Sequence, residues 1–309
     1  MDRLESMEAF VAVVQSGGFS AAARAHGVPV ATVSRRVAQL EESLGVPLLT
    51  RSTRHVAPSE AGQRYFDVCV RLLEDLRDAQ EAIVGEHRSP KGLLSITAPQ
   101  GFGRMHVHPI IIDFLKAYPE IRADLRLTDK IEPLIEDQID CAVRISALKD
   151  STLVAKQVGH VQMLICASPD YLRRRRTPQS LDDLLAHDCI AWTSLGPHKA
   201  WEVRLAVDDP HSVGMAPIQI RFATTSADAA VDAAVHGLGL VQATSYQVAP
   251  LVRAGALLPV LRMHEPPETP VQLVIPERRL MPLKLRAFID HCAPRLRQRI
   301  TDLGTVGPG

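Results

Sequence analysis

Thr32, Ser34, Arg35, Arg36 and Gln39 crowd a short stretch with hydrogen-bonding groups, and none is a nucleophile flanked by a base. Their chemistry is recognition. An arginine can bond both acceptors on a guanine edge, a Thr or Ala methyl can meet a thymine methyl, and hydroxyls can reach bases or phosphates. The positioning elements are written around them, since Phe19 to Gly45 reads as two short helices joined by a tight turn. Ser20 suits the N-cap of the first helix, and Ala21 to Ala23 favour helix strongly. Gly27 ends that helix and Pro29 suits the start of the second. Val33, Val37, Leu40 and Leu44 then recur at helical spacing as one apolar stripe, which leaves the polar set on the other side. The same pattern also describes an amphipathic helical hairpin with a solvated basic face.

Charge narrows the choice. Lys and Arg number 35 and Asp and Glu 35, so a globally basic polyanion binder is excluded and any nucleic-acid affinity must come from a local patch. Such a patch is present between Ser20 and Arg64, where Arg24, Arg35, Arg36, Arg51, Arg54 and Arg64 outnumber Glu41, Glu42 and Glu60. The five cysteines, at 69, 141, 166, 189 and 292, form no close pair, and read as reduced, buried thiols, with a redox disulfide as the minor alternative. The N-terminus lacks a signal-peptide pattern and no apolar run approaches membrane-spanning length, so a cytoplasmic protein without membrane contact is expected. At 309 residues the chain should hold more than one domain.

Met7-Phe10, Gly18-Phe19-Ser20 with its alanines, Val33-Ser34-Arg35, Leu40-Glu41, Leu44-Gly45-Val46-Pro47-Leu48-Leu49 and Ser59-Glu60-Ala61-Gly62 together form one pattern. Over some sixty residues it resembles the winged helix-turn-helix of LysR-type transcriptional regulators. The resemblance implies that the second helix enters the major groove and the wing touches the adjacent backbone of double-stranded promoter DNA. Carried over, Ser20, Val30, Ala31, Thr32, Ser34, Arg35, Arg36 and Gln39 become the groove side, and Arg51 and Arg54 the wing contacts. Many members are polar where this chain has Val30, which implies apolar readout there.

A first amphipathic helix is expected from Leu4, Met7, Phe10 and Val13, and a two-stranded wing from Val46 to Ala57. From Pro58 to about Gly85 a long helix follows, in which Tyr65, Cys69, Leu72, Leu76, Ala79 and Ile83 alternate gaps of four and three as in a two-stranded seam. It would be roughly 35 to 40 Å long, a fitting spacer for two reading heads one DNA turn apart; a helix packed on its own chain is the alternative. A hinge is expected at 87–92. The organisation is thus a 1–58 winged helix-turn-helix domain, a 59–88 dimerising linker helix and an 89–309 effector-binding domain.

That last part alternates strands and helices, which implies parallel sheets with crossover helices. Strands are expected at 93–97, 121–127, 139–145, 161–167, 189–193, 218–223, 238–243 and 271–275, and helices at 111–118, 131–138, 227–236 and 282–301. It resembles the LysR-type effector domain, an α/β fold of two lobes like a periplasmic binding protein, most clearly at Asp140 to Arg144, Cys166 to Leu172 and Gly237 to Leu240. Lobe I is expected at about 91–159 and 268–309 and lobe II at about 160–267, with crossings near 158–161 and 262–269.

Ligands of such folds settle beyond strand ends. The resemblance implies a small anionic or aromatic effector, and the strand ends offer Gln100, Gly101, Phe102, Thr128, Arg144, Thr193, Thr224, Thr225 and Thr244 as its contacts. Each threonine has capping or turn chemistry as its alternative. No cofactor is expected: Gly101-Phe102-Gly103 is too short for a dinucleotide fingerprint, and His106 with His108 lacks further metal ligands. The basic run Arg173 to Arg176 reads as a solvated face, or else as a partner for carboxylates of another subunit. No catalytic motif is found. The reading is a one-component regulator, homodimeric through the linker helix and homotetrameric as the family implies, with RNA polymerase as a further partner. A rival from another class makes the α/β half the working part, a small-molecule-binding or enzymatic module whose head serves only for dimerisation.

Overall fold

The computed structural model describes residues 2–51, 56–84, 89–146, 153–192, 200–209, 212–277 and 281–304. Contacts divide the chain into two units, 1–88 and 89–309.

In the first unit α1 (Arg3–Ser16) starts where the Asp2 carboxylate accepts the Leu4 N–H at 3.0 Å, and ends at Gly17. Helix α2 (Phe19–His26) is preceded by Gly18 without a side-chain cap, so Ser20 is not the N-cap expected of it but an exposed residue one position inside the helix. Gly27 turns the chain in the left-handed conformation that glycine adopts cheaply, at φ 64°. Pro29 caps α3 (Val30–Leu44). Val33, Val37 and Leu40 bury their stripe against Ala9, Phe10 and Val13 of α1 and Ala22 and Ala23 of α2. Strands β1 (Leu49–Arg51) and β2 (Val56–Pro58) pair antiparallel, Leu49 opposite Pro58.

Helix α4 (Glu60–Val84) then departs. The residues expected to form one seam along it divide. Cys69 is fully buried in the head's own core with Tyr65 packed against that core, while Leu72 and Leu76 stay 49% and 38% exposed. The first turns of the helix therefore serve the head, because Phe10 needs cover and takes it from the Tyr65 and Phe66 rings at 6.0 and 6.5 Å. The side chains of Ala79 and Ile83, and positions 87 and 88 of the expected hinge, lie outside the described residues.

The second unit runs β3 (Gly92–Ala98), α5 (Gln100–Phe102), a π turn at Gly103–Val107, α6 (His108–Ala117), β4 (Ile121–Leu127), β5 (Cys141–Ile145), β6 (Leu153–Val161) and β7 (Met163–Ala167). It continues with α7 (Pro169–Arg175), β8 (Cys189–Trp192), β9 (Ala200–Arg204), β10 (Val213–Pro217), β11 (Ile220–Thr224), α8 (Ala227–Val235), β12 (Leu240–Thr244), α9 (Ser245–Arg253), β13 (Leu258–Val260), β14 (Thr269–Pro276) and α10 (Leu283–Leu303). Two five-stranded sheets result, in the orders β4-β3-β5-β14-β6 and β11-β8-β12-β7-β13, with β9 and β10 as a separate antiparallel pair. The chain crosses between the sheets at Gln162 and again between β13 and β14. Gln162 ties the crossings together: its side-chain amide donates to Pro266 O at 2.5 Å.

The sheets are mixed rather than all parallel. Strand β3 lies parallel to β4 and β5, and β8 to β11 and β12, but β14 is antiparallel to β5 and β6, and β7 to β12 and β13. Parallel pairing needs a crossover helix, and β7 and β14 are the strands that arrive from the other sheet. The helix expected at 131–138 is absent as well. Pro133 disfavours helical backbone at Glu132, and the segment forms turns that end with Gln138 at φ 54°.

Candidate functional site

On α3, Val30, Ala31 and Arg35 are exposed, and Thr32, Ser34, Arg36 and Gln39 are half-buried at the margins of the packed stripe. Ser20 on α2 is exposed too. The two adjacent arginines differ. Among the described residues Arg35 makes no ion pair or hydrogen bond, whereas the Arg36 guanidinium meets the Glu5 carboxylate of α1 at 2.5 Å. The side chain of Arg51 and all of Arg54 lie outside the described residues.

The junction between α3, wing and α4 is built from backbone contacts. The Glu41 carboxylate accepts the N–H groups of Leu48 (2.7 Å) and Leu49 (3.0 Å) and so fixes where the wing begins. The Ser59 hydroxyl donates to Pro47 O at 2.8 Å and accepts the Gly62 N–H at 2.9 Å, while the Ser59 N–H donates to Leu48 O. Gly62 is required by proximity, since a Cβ there would stand 1.8 Å from Leu48 O.

In the second unit a cleft of about 340 Å³ opens between the two sheets, within the usual range of small-molecule sites. Thr128, Arg144 and Thr244 all line it. Arg144, on β5, donates to Glu132 O at 3.0 Å, and burial alone pulls its pKa down. No carboxylate pairs with it among the described residues. One oxygen of the Glu132 carboxylate is likewise buried without a hydrogen bond among the described residues. Val143, Ile145, Val161 and Met163 supply apolar lining. Thr244 is also engaged in capping α9, its hydroxyl donating to the Gln247 side chain at 2.6 Å.

Other expected contacts fall elsewhere. Phe102 is a core residue and not a cleft residue: it is fully buried, with ring centroids 4.9 Å from His106 and 5.2 Å from Tyr246. Gln100 uses its N–H on the Asp129 carboxylate at 3.0 Å, and Gly101 faces the Tyr246 hydroxyl. The Thr224 hydroxyl accepts the Ser226 N–H, and Thr225 O accepts the Trp192 indole N–H at 3.2 Å, both outside the cleft wall. Thr193 lies outside the described residues. Trp192 and Tyr246, not expected at all, wall the cleft. Trp192 is the last residue of β8 and Tyr246 lies two residues beyond β12, so the strand-end rule applied to a chain with 4% aromatics was the available signal.

The remaining conspicuous residues have structural partners. Arg173 pairs with Asp170, Arg174 donates to Gly237 O and Arg175 to Ala186 O, so the basic run is largely tied down within its own lobe. All five cysteines are buried, and burial raises every thiol pKa, to about 12 for Cys166, Cys189 and Cys292. Among the described residues no group of three or more His, Cys, Asp or Glu could hold a metal ion, and no helix is long and apolar enough to cross a membrane.

Two family models match. That for the bacterial regulatory helix-turn-helix protein of the lysR family covers residues 4–63, and that for the LysR substrate binding domain covers 87–297. An HTH-type transcriptional repressor of Pseudomonas aeruginosa is 34% identical over 94% of this chain and 91% of its own length. The HTH-type transcriptional regulator CrgA of Neisseria meningitidis serogroup B is 32% identical over 94% and 96%. The solved structure of CrgA, a LysR-type transcriptional regulator from Neisseria meningitidis, aligns with TM-score 0.60 at 31% identity, covering 94% of this chain and 98% of that one. The full-length structure of the Vibrio cholerae virulence activator AphB gives 0.59 at 26%, over 94% and 98%. With a helix-turn-helix that binds DNA and an effector-binding domain behind it, the chain belongs to the LysR family of transcriptional regulators and is not an enzyme.

Proposed function

We propose that the cleft binds a small carboxylate whose apolar or aromatic body lies between Trp192 and Tyr246, and that occupancy biases the regulator's engagement of promoter DNA. The observation that carries this is Arg144, a half-buried guanidinium in the cleft that makes no ion pair among the described residues, although Asp129 and Glu132 line the same cleft. A desolvated cation without a counter-charge is costly, and an anionic ligand supplies the missing charge. The orphan oxygen of Glu132 asks in addition for a hydroxyl or N–H donor on the ligand. Thr128 and Thr244 offer further polar contacts in the same cleft.

On the DNA side, Arg35 with Ala31, Thr32, Ser34 and Gln39 reads base edges and Arg51 and Arg54 flank the backbone. Two copies pair through α4, where Val68, Leu72 and Leu76 expose apolar surface, and pairs assemble into a homotetramer. The regulator works in the cytoplasm, where promoter DNA and RNA polymerase are found.

A thermal-shift series on the full chain tests the effector reading. Hydroxylated and aromatic monocarboxylic acids are compared with their neutral amides, at concentrations where a ligand near 100 times its Kd adds about 2.7 kcal/mol. The acids should stabilise, the amides should not, and Arg144→Gln should abolish the difference. Equal stabilisation by acid and amide, or an unchanged preference in Arg144→Gln, would contradict the assignment.

A further inference from the structure

The sequence places Arg35 and Arg36 side by side on the reading helix, and the structure treats them oppositely. Arg35 is exposed and unpaired among the described residues, whereas the Arg36 side chain is 28% exposed and held by Glu5, itself 48% exposed on α1. On a helical wheel Arg36 lies close to the buried stripe of Val33, Val37 and Leu40, on the flank that faces α1, while Arg35 lies opposite that stripe. Glu5 sits in the first turn of α1, where the helix dipole favours a negative charge.

We propose that Glu5 is a specificity-determining residue: it neutralises Arg36 and withholds it from the phosphate backbone, so that base-reading Arg35 dominates the charge presented by α3. Every arginine that neutralises a phosphate adds affinity for any sequence, because counterion release does not depend on the bases. For Arg36 to make such a contact it must leave Glu5, and the abandoned carboxylate would then stand within a Debye length of the phosphates, about 8 to 10 Å. The ion pair thus opposes indiscriminate binding through both partners, and it leaves base contacts intact. The inference rests on α3 being the reading helix.

The test uses full-length protein, a duplex selected from a random pool by the wild type, and a random-sequence duplex of equal length, titrated by fluorescence anisotropy across salt. Glu5→Gln should steepen the salt dependence on the random duplex by about 0.9 per arginine released. Between 200 and 50 mM salt that is about 3.5-fold more gain in affinity than wild type shows, with selected-to-random discrimination reduced. Arg36→Ala alone should leave the slope unchanged, and the Glu5→Gln, Arg36→Ala double variant should return it to the wild-type value. An unchanged slope in Glu5→Gln, a shallower one in Arg36→Ala, or a slope still raised in the double variant would each overturn the proposal. Because Arg36→Ala is read independently, poor folding of Glu5→Gln leaves the proposal falsifiable. Arg35→Ala separates the two levels: if it changes neither slope nor discrimination the reading helix is misassigned, and if it does while Glu5→Gln has no effect only the Glu5 inference fails.

Discussion

Gly62→Ala sets two effects of opposite sign against each other. By helix propensity alone the change should stabilise α4 by about 1 kcal/mol. The structure predicts the reverse, because the new Cβ would sit 1.8 Å from Leu48 O and 2.8 Å from Leu48 C. Ordinary carbon–oxygen contact requires roughly 1.5 Å more separation. Neither atom belongs to a flexible side chain, so α4 and the base of the wing must part. That motion stretches the Ser59 N–H to Leu48 O bond (2.9 Å) and the Ser59 hydroxyl to Pro47 O bond (2.8 Å), and strains the two N–H bonds into Glu41. Losing two or three such bonds costs about 1 kcal/mol each, for a net destabilisation of about 1 to 2 kcal/mol after the propensity gain.

The assay has an internal control, since both tryptophans, Trp192 and Trp201, lie in the second unit. In urea, circular dichroism should report an earlier loss of helix for Gly62→Ala while the tryptophan transition stays where it is. DNA affinity should fall because the wing no longer sits beside α3. A variant as stable as wild type by circular dichroism would refute the close-approach argument.

His106 gives a pH prediction. Burial, with a smaller contribution from Arg299, lowers its pKa from 6.5 to about 4, and neither ring nitrogen has a hydrogen-bond partner among the described residues. The unfolded state therefore binds a proton that the folded state refuses. Stability is complete above about pH 6.5 and is lost as pH falls toward 4, with about 2 kcal/mol of the loss between pH 7 and 5. Urea unfolding followed by tryptophan fluorescence should show that loss in wild type and a much smaller one in His106→Phe; equal losses would contradict it. For α4, Leu72→Glu with Leu76→Glu should convert dimers to monomers in sedimentation velocity, and unchanged assembly would remove the helix from the interface.

Much of this architecture was legible where local chemistry dictates it. Gly27 and Gly45 end helices at positive φ, and the stripe Val33, Val37, Leu40 packs inward as its spacing requires. Strand 121–127 was readable from strict alternation. What failed depended on partners distant in sequence. Nothing in 153–161 announces that β6 pairs antiparallel with β14, and α9 hides behind its internal Pro250. Phe102 sits between glycines that suggest an open loop, yet Gly103 is there because a Cβ would strike Leu127 and Ala98. At the cleft the strand-end rule pointed to Thr128, Arg144 and Thr244 but not to Trp192 and Tyr246, because which side chains near a strand end turn into a cleft is decided by tertiary packing.

The account stands on the outer face of α3 reading base pairs. The most direct measurement compares wild type and Arg35→Ala on the selected duplex and on single-base variants of it, at fixed salt. The account predicts a loss of about 1 to 3 kcal/mol on the selected duplex, with discrimination relaxed at one base position per half-site. Unaltered affinity together with an unaltered preference at every position would contradict it.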